Sequence, residues 1–350
     1  MRQRVRDASV QIGVAAASIL LSLAAGAVLI AAAGHNPFTV YGVLFREALG
    51  QSAGVSQVLF KTTTLLFTGV AVAFSFRAGI FNIGGEGQLY LGAFACAAVG
   101  LGLPAGTPAI VAVPLMTAAA FVGGAMAAAP PAVLKATRGT HEVIVTIMMN
   151  FIVLSTVNWL LGFVRESREV VRTPAVSESW RLPLFARGFD GNASIFLGLA
   201  LCAVAMYVLR RTRYGYELRA VGLNASAAET GGVHVPRLML SSLLVSGGLA
   251  GLGGVNFVLG SPGYFEQHFA PFQGYLGIAV ALLARNHPVG VIPSAFLFAV
   301  LSEGSQSVQQ FVPKEIGSIL QATVIIFVVV GAKMVERLAE SLLKRRAAGV

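Results

Sequence analysis

Charge is what this chain has least of. Only 11% of its 350 residues are Asp, Glu, Lys or Arg, against about 25% in soluble domains. Cysteine is almost absent too. Cys96 and Cys202 both lie in apolar runs, which excludes a disulfide framework and a CxxC metal site. No GxxxxGK[ST] stretch occurs, so the chain carries no phosphate loop of that kind. His141-Glu142 has no second histidine four residues on, which excludes a zincin, and no Ser/His/Asp arrangement stands out by spacing. These absences leave no catalytic chemistry, and we read the chain as no enzyme.

What is present is apolar. Hydrophobic residues make up 56%, mean hydropathy is +0.76, and there are 40 glycines. Small residues let helices approach closely in lipid, so the fold class expected is an all-α polytopic membrane protein. GGLAGLGG at 247–254 resembles a phosphate loop, but it lies inside an apolar run, where Gly247 and Gly251 read as packing glycines. The net charge of +10 fits the positive-inside bias of membrane proteins, and no nucleic-acid partner is expected.

Apolar runs of about twenty residues can span a bilayer. They predict ten helices, at 12–33, 57–76, 79–101, 108–133, 141–163, 193–209, 238–259, 271–284, 288–303 and 316–333. The first follows MRQRVRD and is longer than the roughly 7–15 apolar residues of a signal peptide, so we read it as a retained helix. With both termini inside, seventeen of the 25 basic residues fall on the inner side and eight on the outer. The amphipathic segment 35–56 is expected on the outer surface. One long loop, 164–192, lies outside and another, 210–237, lies inside. Asn192-Ala-Ser matches a glycosylation acceptor, a short motif with a high chance rate.

Ala78 to Ala93, AGIFNIGGEGQLYLGA, interrupts this pattern. Glycines, Asn82, Glu86 and Gln88 would be costly against lipid, so a helix breaks here and its polar groups face protein or a watery path. Glu86 is either a pathway residue or a structural carboxylate that accepts bonds from amides freed by the break. A second break is expected at 260–273, GSPGYFEQHFAPFQ. Gly92 matches Gly277, Pro114 matches Pro293 and Glu142 matches Glu315, which suggests an inverted repeat with 12–163 holding the first copy and 238–333 the second. Such repeats place the pathway at interrupted segments.

Candidate pathway residues are therefore Phe81, Asn82, Glu86, Gln88, Asn150, Asn256, Phe257 and Gln321. Asn158 is roughly 200° around its helix from Asn150 and is expected to tie helices together. The aromatics around the second break, Phe257, Tyr264, Phe265, Phe269, Phe272 and Tyr275, read either as an interfacial belt or as pathway lining. In the inside loop, 216–221 and 225–230 are each expected to form a short helix around Gly222 and Asn224.

AGIFNIGGEGQLYLGA, THEVIVTIMMNFI, GLNASAAETGGV and GYLGIAVALLARNHPVG, in this order between about 57 and 333, resemble the ABC importer permeases of the branched-chain amino acid/ribose superfamily. FNIG-x-EGQ with THEVI-x-TIM-x-N is most similar to the nucleoside-type members. The resemblance implies a single permease domain in a bacterial inner membrane and a second, related permease as heterodimer partner. It also implies a separate ABC ATPase that holds ATP and Mg, and an extracytoplasmic substrate-binding lipoprotein; this chain would hold no cofactor. The cargo would be a small polar solute, a nucleoside or a simple sugar such as ribose. Arg219, Gly222, Asn224, Ala227, Ala228 and Glu229 of the inside loop become candidates for ATPase coupling. An ion-coupled secondary transporter would use similar breaks, but beyond Glu86 only Glu303 offers a pathway charge.

Overall fold

The computed structural model describes residues 20–21, 23–32, 34–104, 106–167, 169–310, 319, 322–323 and 326. Among them the regular elements are all helical, and β pairing is confined to two isolated bridges. In chain order they are α1 (Leu23–Ala32), α2 (Pro37–Gly50), α3 (Ser52–Phe76), α4 (Gly85–Gly102), α5 (Ala109–Arg138) and α6 (Glu142–Val164). Then come α7 (Ser194–Arg211), α8 (Arg213–Leu223), α9 (Ala225–Thr230), α10 (Val235–Gly251), α11 (Gln273–Leu283) and α12 (Val291–Ser307).

Six helical stretches are long and apolar enough to cross a bilayer: Ser52–Phe76, Ala109–Arg138, Glu142–Val164, Ser194–Arg211, Val235–Gly260 and Pro288–Ser307. The protein is thus a multi-pass, all-helical membrane protein. Four of the ten predicted segments are not among the six. The segment at 79–101 begins late, as α4, because Ala78 to Gly84 is not helical. The one at 271–284 is α11, only 11 residues long. Residues 12–19 of the first segment, and most of 316–333 with Gln321, lie outside the described residues.

The described residues of 55–299 form one compact body, and those of 1–54 and 300–350 form another. In the second, the expected amphipathic segment is α2. Asn36 caps it, with its side chain accepting from the Phe38 amide, and Val40, Leu44 and Ala48 make one buried face at four-residue spacing.

In the larger body α3 is the central helix, with 94% of its apolar window buried. Its polar residues fit that burial because Thr62, Thr63 and Thr68 donate to carbonyls four residues back. α6 is the opposite case, with Ile144, Phe151, Ile152 and Phe163 all exposed, as a lipid-facing helix requires. α5 and α10 cross on glycine. A side chain at Gly251 would collide with Ala120 and Gly124, and one at Gly247 with Ala128 and Gly124. Gly92 of α4 meets Gly251 as closely. The glycine run at 247–254 is therefore packing, as expected.

Candidate functional site

The first break turns at Gly79, whose φ of +72° favours glycine. It then runs without helix to α4, and several of its freed amides bond to side chains. Ile83 N donates to Thr146 Oγ1, Gly84 N to Asn82 Oδ1, and Gly87 N to Asn150 Oδ1. Asn82 is fully buried and makes four bonds: its Nδ2 donates to Gln88 Oε1 and Ser246 Oγ, and its Oδ1 accepts from Gly84 N and Gln88 Nε2. Ser246 in turn donates to the Ala71 carbonyl. One asparagine thus ties the break to α4 and α10, and through Ser246 to α3.

Glu86 reaches across to the second break. Its two carboxylate oxygens accept from Phe272 N at 2.8 Å and Gly274 N at 2.7 Å. These are amides at the start of α11, so Glu86 of α4 caps another helix. The two helix starts touch: a side chain at Gly274 would collide with the backbone of Gly85 and Glu86. Asn150 completes the junction, since its Nδ2 donates to the Ile83 carbonyl and to Tyr275 Oη. The carboxylate does accept freed amides, but they belong to the other break.

The second break begins beyond α10, where Asn256–Gly260 forms a π-type turn. Asn256 mirrors Asn82. It too is fully buried with four bonds: Nδ2 donates to the Phe60 carbonyl and Thr64 Oγ1, and Oδ1 accepts from Asn192 Nδ2 and Ser194 Oγ. Asn192 is itself fully buried, so the apparent glycosylation acceptor is a structural residue. Backbone turns here fall on His268 and Phe272, at φ of 60° and 64°, a region such residues seldom occupy. Three of the six aromatics, Phe257, Phe265 and Phe269, form a packed cluster. Phe257 meets Phe60 and Phe269 edge-on, and Phe265 meets Tyr90 and Phe94. Phe257 and Phe265 are buried, whereas Phe272 is exposed. Tyr90 accepts from His268 N and donates to Asn158, which ties α4 to α6 as expected of Asn158.

Each long loop braces a different break. The 164–192 loop pairs with the second through Thr173 N to the Phe265 carbonyl, Val176 N to Gly263 and Leu182 N to Leu259. Buried Trp180 anchors the loop by donating to the Thr107 carbonyl. The 210–237 loop folds as α8 and α9, as expected, with α8 longer than predicted. Asn224 caps α9, accepting from the Ala227 amide. Tyr214 ties α8 to α10 through Ser241 and stacks on Phe74. Gly222 lies against the first break, where a side chain would collide with the Arg77 carbonyl.

Of the expected pathway residues, Asn82, Glu86, Gln88 and Asn150 gather at the first break. Asn256 and Phe257 stand at the second, and half-buried Phe81 packs edge-on against Phe76. Of the expected coupling residues, Arg219, Asn224, Ala227 and Glu229 are exposed, while Ala228 is buried. Sequence reasoning passed over Ser246, Thr64 and Ser194. Their only signal was a hydroxyl inside an apolar span, the kind of residue that bonds across helices in lipid.

The model of the family described as "Branched-chain amino acid transport system / permease component" matches residues 54–329. The glucose ABC transporter permease protein TsgB13 of Haloferax volcanii is 35% identical over 89% of this chain and 85% of its own. The guanosine ABC transporter permease protein NupP of Bacillus subtilis is 35% identical over 89% and 91%. The nucleoside ABC transporter permease protein NupB of Lactococcus lactis is 31% identical over 89% of each. Two joined helix breaks, each held by a buried asparagine and braced by its own loop, are therefore the framework of an ABC transporter permease, and the chain belongs to the branched-chain amino acid transport system permease family.

Proposed function

We propose that the chain is one of two related permeases forming the pore of a nucleoside importer in a bacterial inner membrane. A separate ABC ATPase with its ATP and Mg drives it, and a substrate-binding lipoprotein delivers cargo outside. The guanosine and nucleoside relatives support this cargo. The glucose relative keeps a simple sugar as the second reading. The full chain would span ten times as an inverted repeat with both termini in the cytoplasm, α4 and α11 starting at the two breaks from opposite sides. The observation that carries the reading is the junction of those helix starts through Glu86. Helix starts that meet at interrupted segments are a transporter device.

In this reading Phe81, Asn82, Glu86, Gln88, Asn150, Asn256 and Phe257 form the frame of the pathway, with Glu86 and Phe81 nearest to it. α9 docks on the ATPase through Ala227 and Glu229, while Arg219, Gly222 and Asn224 hold it in place. Packing of Gly222 on Arg77 would pass ATPase movement to the first break. Uptake of labelled guanosine, ribose and glucose by the reconstituted complex tests the cargo, with guanosine expected to compete out the others. A cysteine replacing Ser177 should react with an impermeant outside reagent and one replacing Ser226 should not. Labelling at Ser226 in intact cells would overturn both the orientation and the ATPase docking.

A further inference from the structure

Where α3, α7 and the start of the α12 span end together, three arginines surround one small cavity. It holds about 180 Å³ and is lined by Arg77, Arg210, Arg219 and His287, with Met206 and Leu209 as apolar wall. Among the described residues no carboxylate pairs with any of these arginines. Arg77 is half-buried and spends only its Nε, on the Asn286 carbonyl at 2.9 Å. Its terminal amino groups remain for the cavity. Arg219 gives its Nε to the Gly215 carbonyl.

His287 adds a local conflict. Arg210 Nη2 lies 3.0 Å from its Nε2, and the Gly290 amide lies 3.4 Å from its Nδ1. A neutral imidazole has one acceptor nitrogen, so one of these contacts sets a donor against a donor. The charges also oppose each other. Burial, then Arg219 and Arg210, lower the Arg77 pKa, and burial, then Arg210 and Arg77, lower that of His287. A fold that gathers like charges around a cavity, with donors left over, is completed by an anion.

We propose that this cavity binds a phosphate group. Arginine matches phosphate geometry with paired donors, and a bound oxygen would separate Arg210 from His287. The volume equals that of about six waters, enough for a phosphate group. Free phosphate and a phospholipid headgroup share this chemistry, and the position at the ends of membrane spans admits both.

The test uses the full chain in its transporter complex in neutral detergent, melted in phosphate and in chloride at equal ionic strength. A parallel series adds phosphatidylglycerol or a neutral glycolipid. We expect phosphate or phosphatidylglycerol to raise the melting temperature by at least about 2 °C. A rise with phosphate assigns the free ion, and a rise with phosphatidylglycerol alone assigns a lipid headgroup. Arg210→Gln should lose most of that rise and melt no lower than the unaltered chain in chloride, since one repelling cation is gone. His287→Gln, which keeps all three arginines, should retain the larger part of it. If neither anion raises the melting temperature, or if Arg210→Gln responds as fully as the unaltered chain, the proposal fails.

Discussion

The two breaks solve one problem with different materials. The first turns on glycine, is short, and satisfies its amides with Asn82, Asn150 and Thr146. The second is longer, turns on His268 and Phe272, and is packed with aromatics. Their bracing differs as well: α8 presses on the first, while the 164–192 loop is hydrogen-bonded along the second. A break with a small-residue turn and a helical brace can be moved by a helix. One stitched to a loop, with non-glycine residues in left-handed backbone, is held by that loop. Glu86 is where they join, so what moves one must act on the other.

Breaking that junction should have the largest effect. Glu86→Ala leaves two backbone donors of α11 without acceptors. At about 1–3 kcal/mol each, this should cut uptake at least about tenfold while the protein still inserts. Glu86→Gln should be nearly as poor, because each amide bonds a different oxygen and glutamine would set its NH2 donor against one of them. Uptake by membrane vesicles normalised to protein level checks both, and wild-type transport by Glu86→Gln would reduce the junction to a neutral contact.

Next come the mirrored asparagines. Asn82→Leu and Asn256→Leu each strand several buried partners and should each destabilise by about 2–4 kcal/mol. If the breaks are coupled through Glu86, the double variant should depart from additivity by more than about 0.5 kcal/mol. Melting of the four purified proteins measures this. Strict additivity would mean two independent breaks.

Much of the comparison is readable in the sequence. Asn82, Glu86 and Gln88 among glycines have no stable place against lipid, so a break at 78–93 follows from composition alone. The short helix α9 follows from Asn224 as cap. The partner of Glu86 was not readable, because a carboxylate declares a need for donors and not which amides supply them. The roles of Asn192 and Ser246 were hidden for a related reason: a lone polar side chain acquires meaning only from the helix packed opposite. The 164–192 loop could be counted by length, but its pairing with 259–267 depends on backbone direction, which side chains do not encode.

A smaller effect sharpens the difference in bracing. Thr173→Val removes the hydroxyl that accepts from Phe265 N and should cost only about 1 kcal/mol. Uptake at saturating receptor should stay within about twofold, because the loop keeps its backbone bonds. A larger loss, measured against receptor concentration, would give the second break a dominant role.

Gly222 is the point at which movement of α8 would drive the first break. ATP hydrolysis and nucleoside uptake should be measured together in proteoliposomes carrying the complete complex with Gly222→Ala, whose new methyl collides with the Arg77 carbonyl. Hydrolysis should stay within about twofold of the unaltered complex while uptake falls below about a tenth of it, as driving through Gly222 requires. Uptake that keeps pace with hydrolysis in this variant would contradict it.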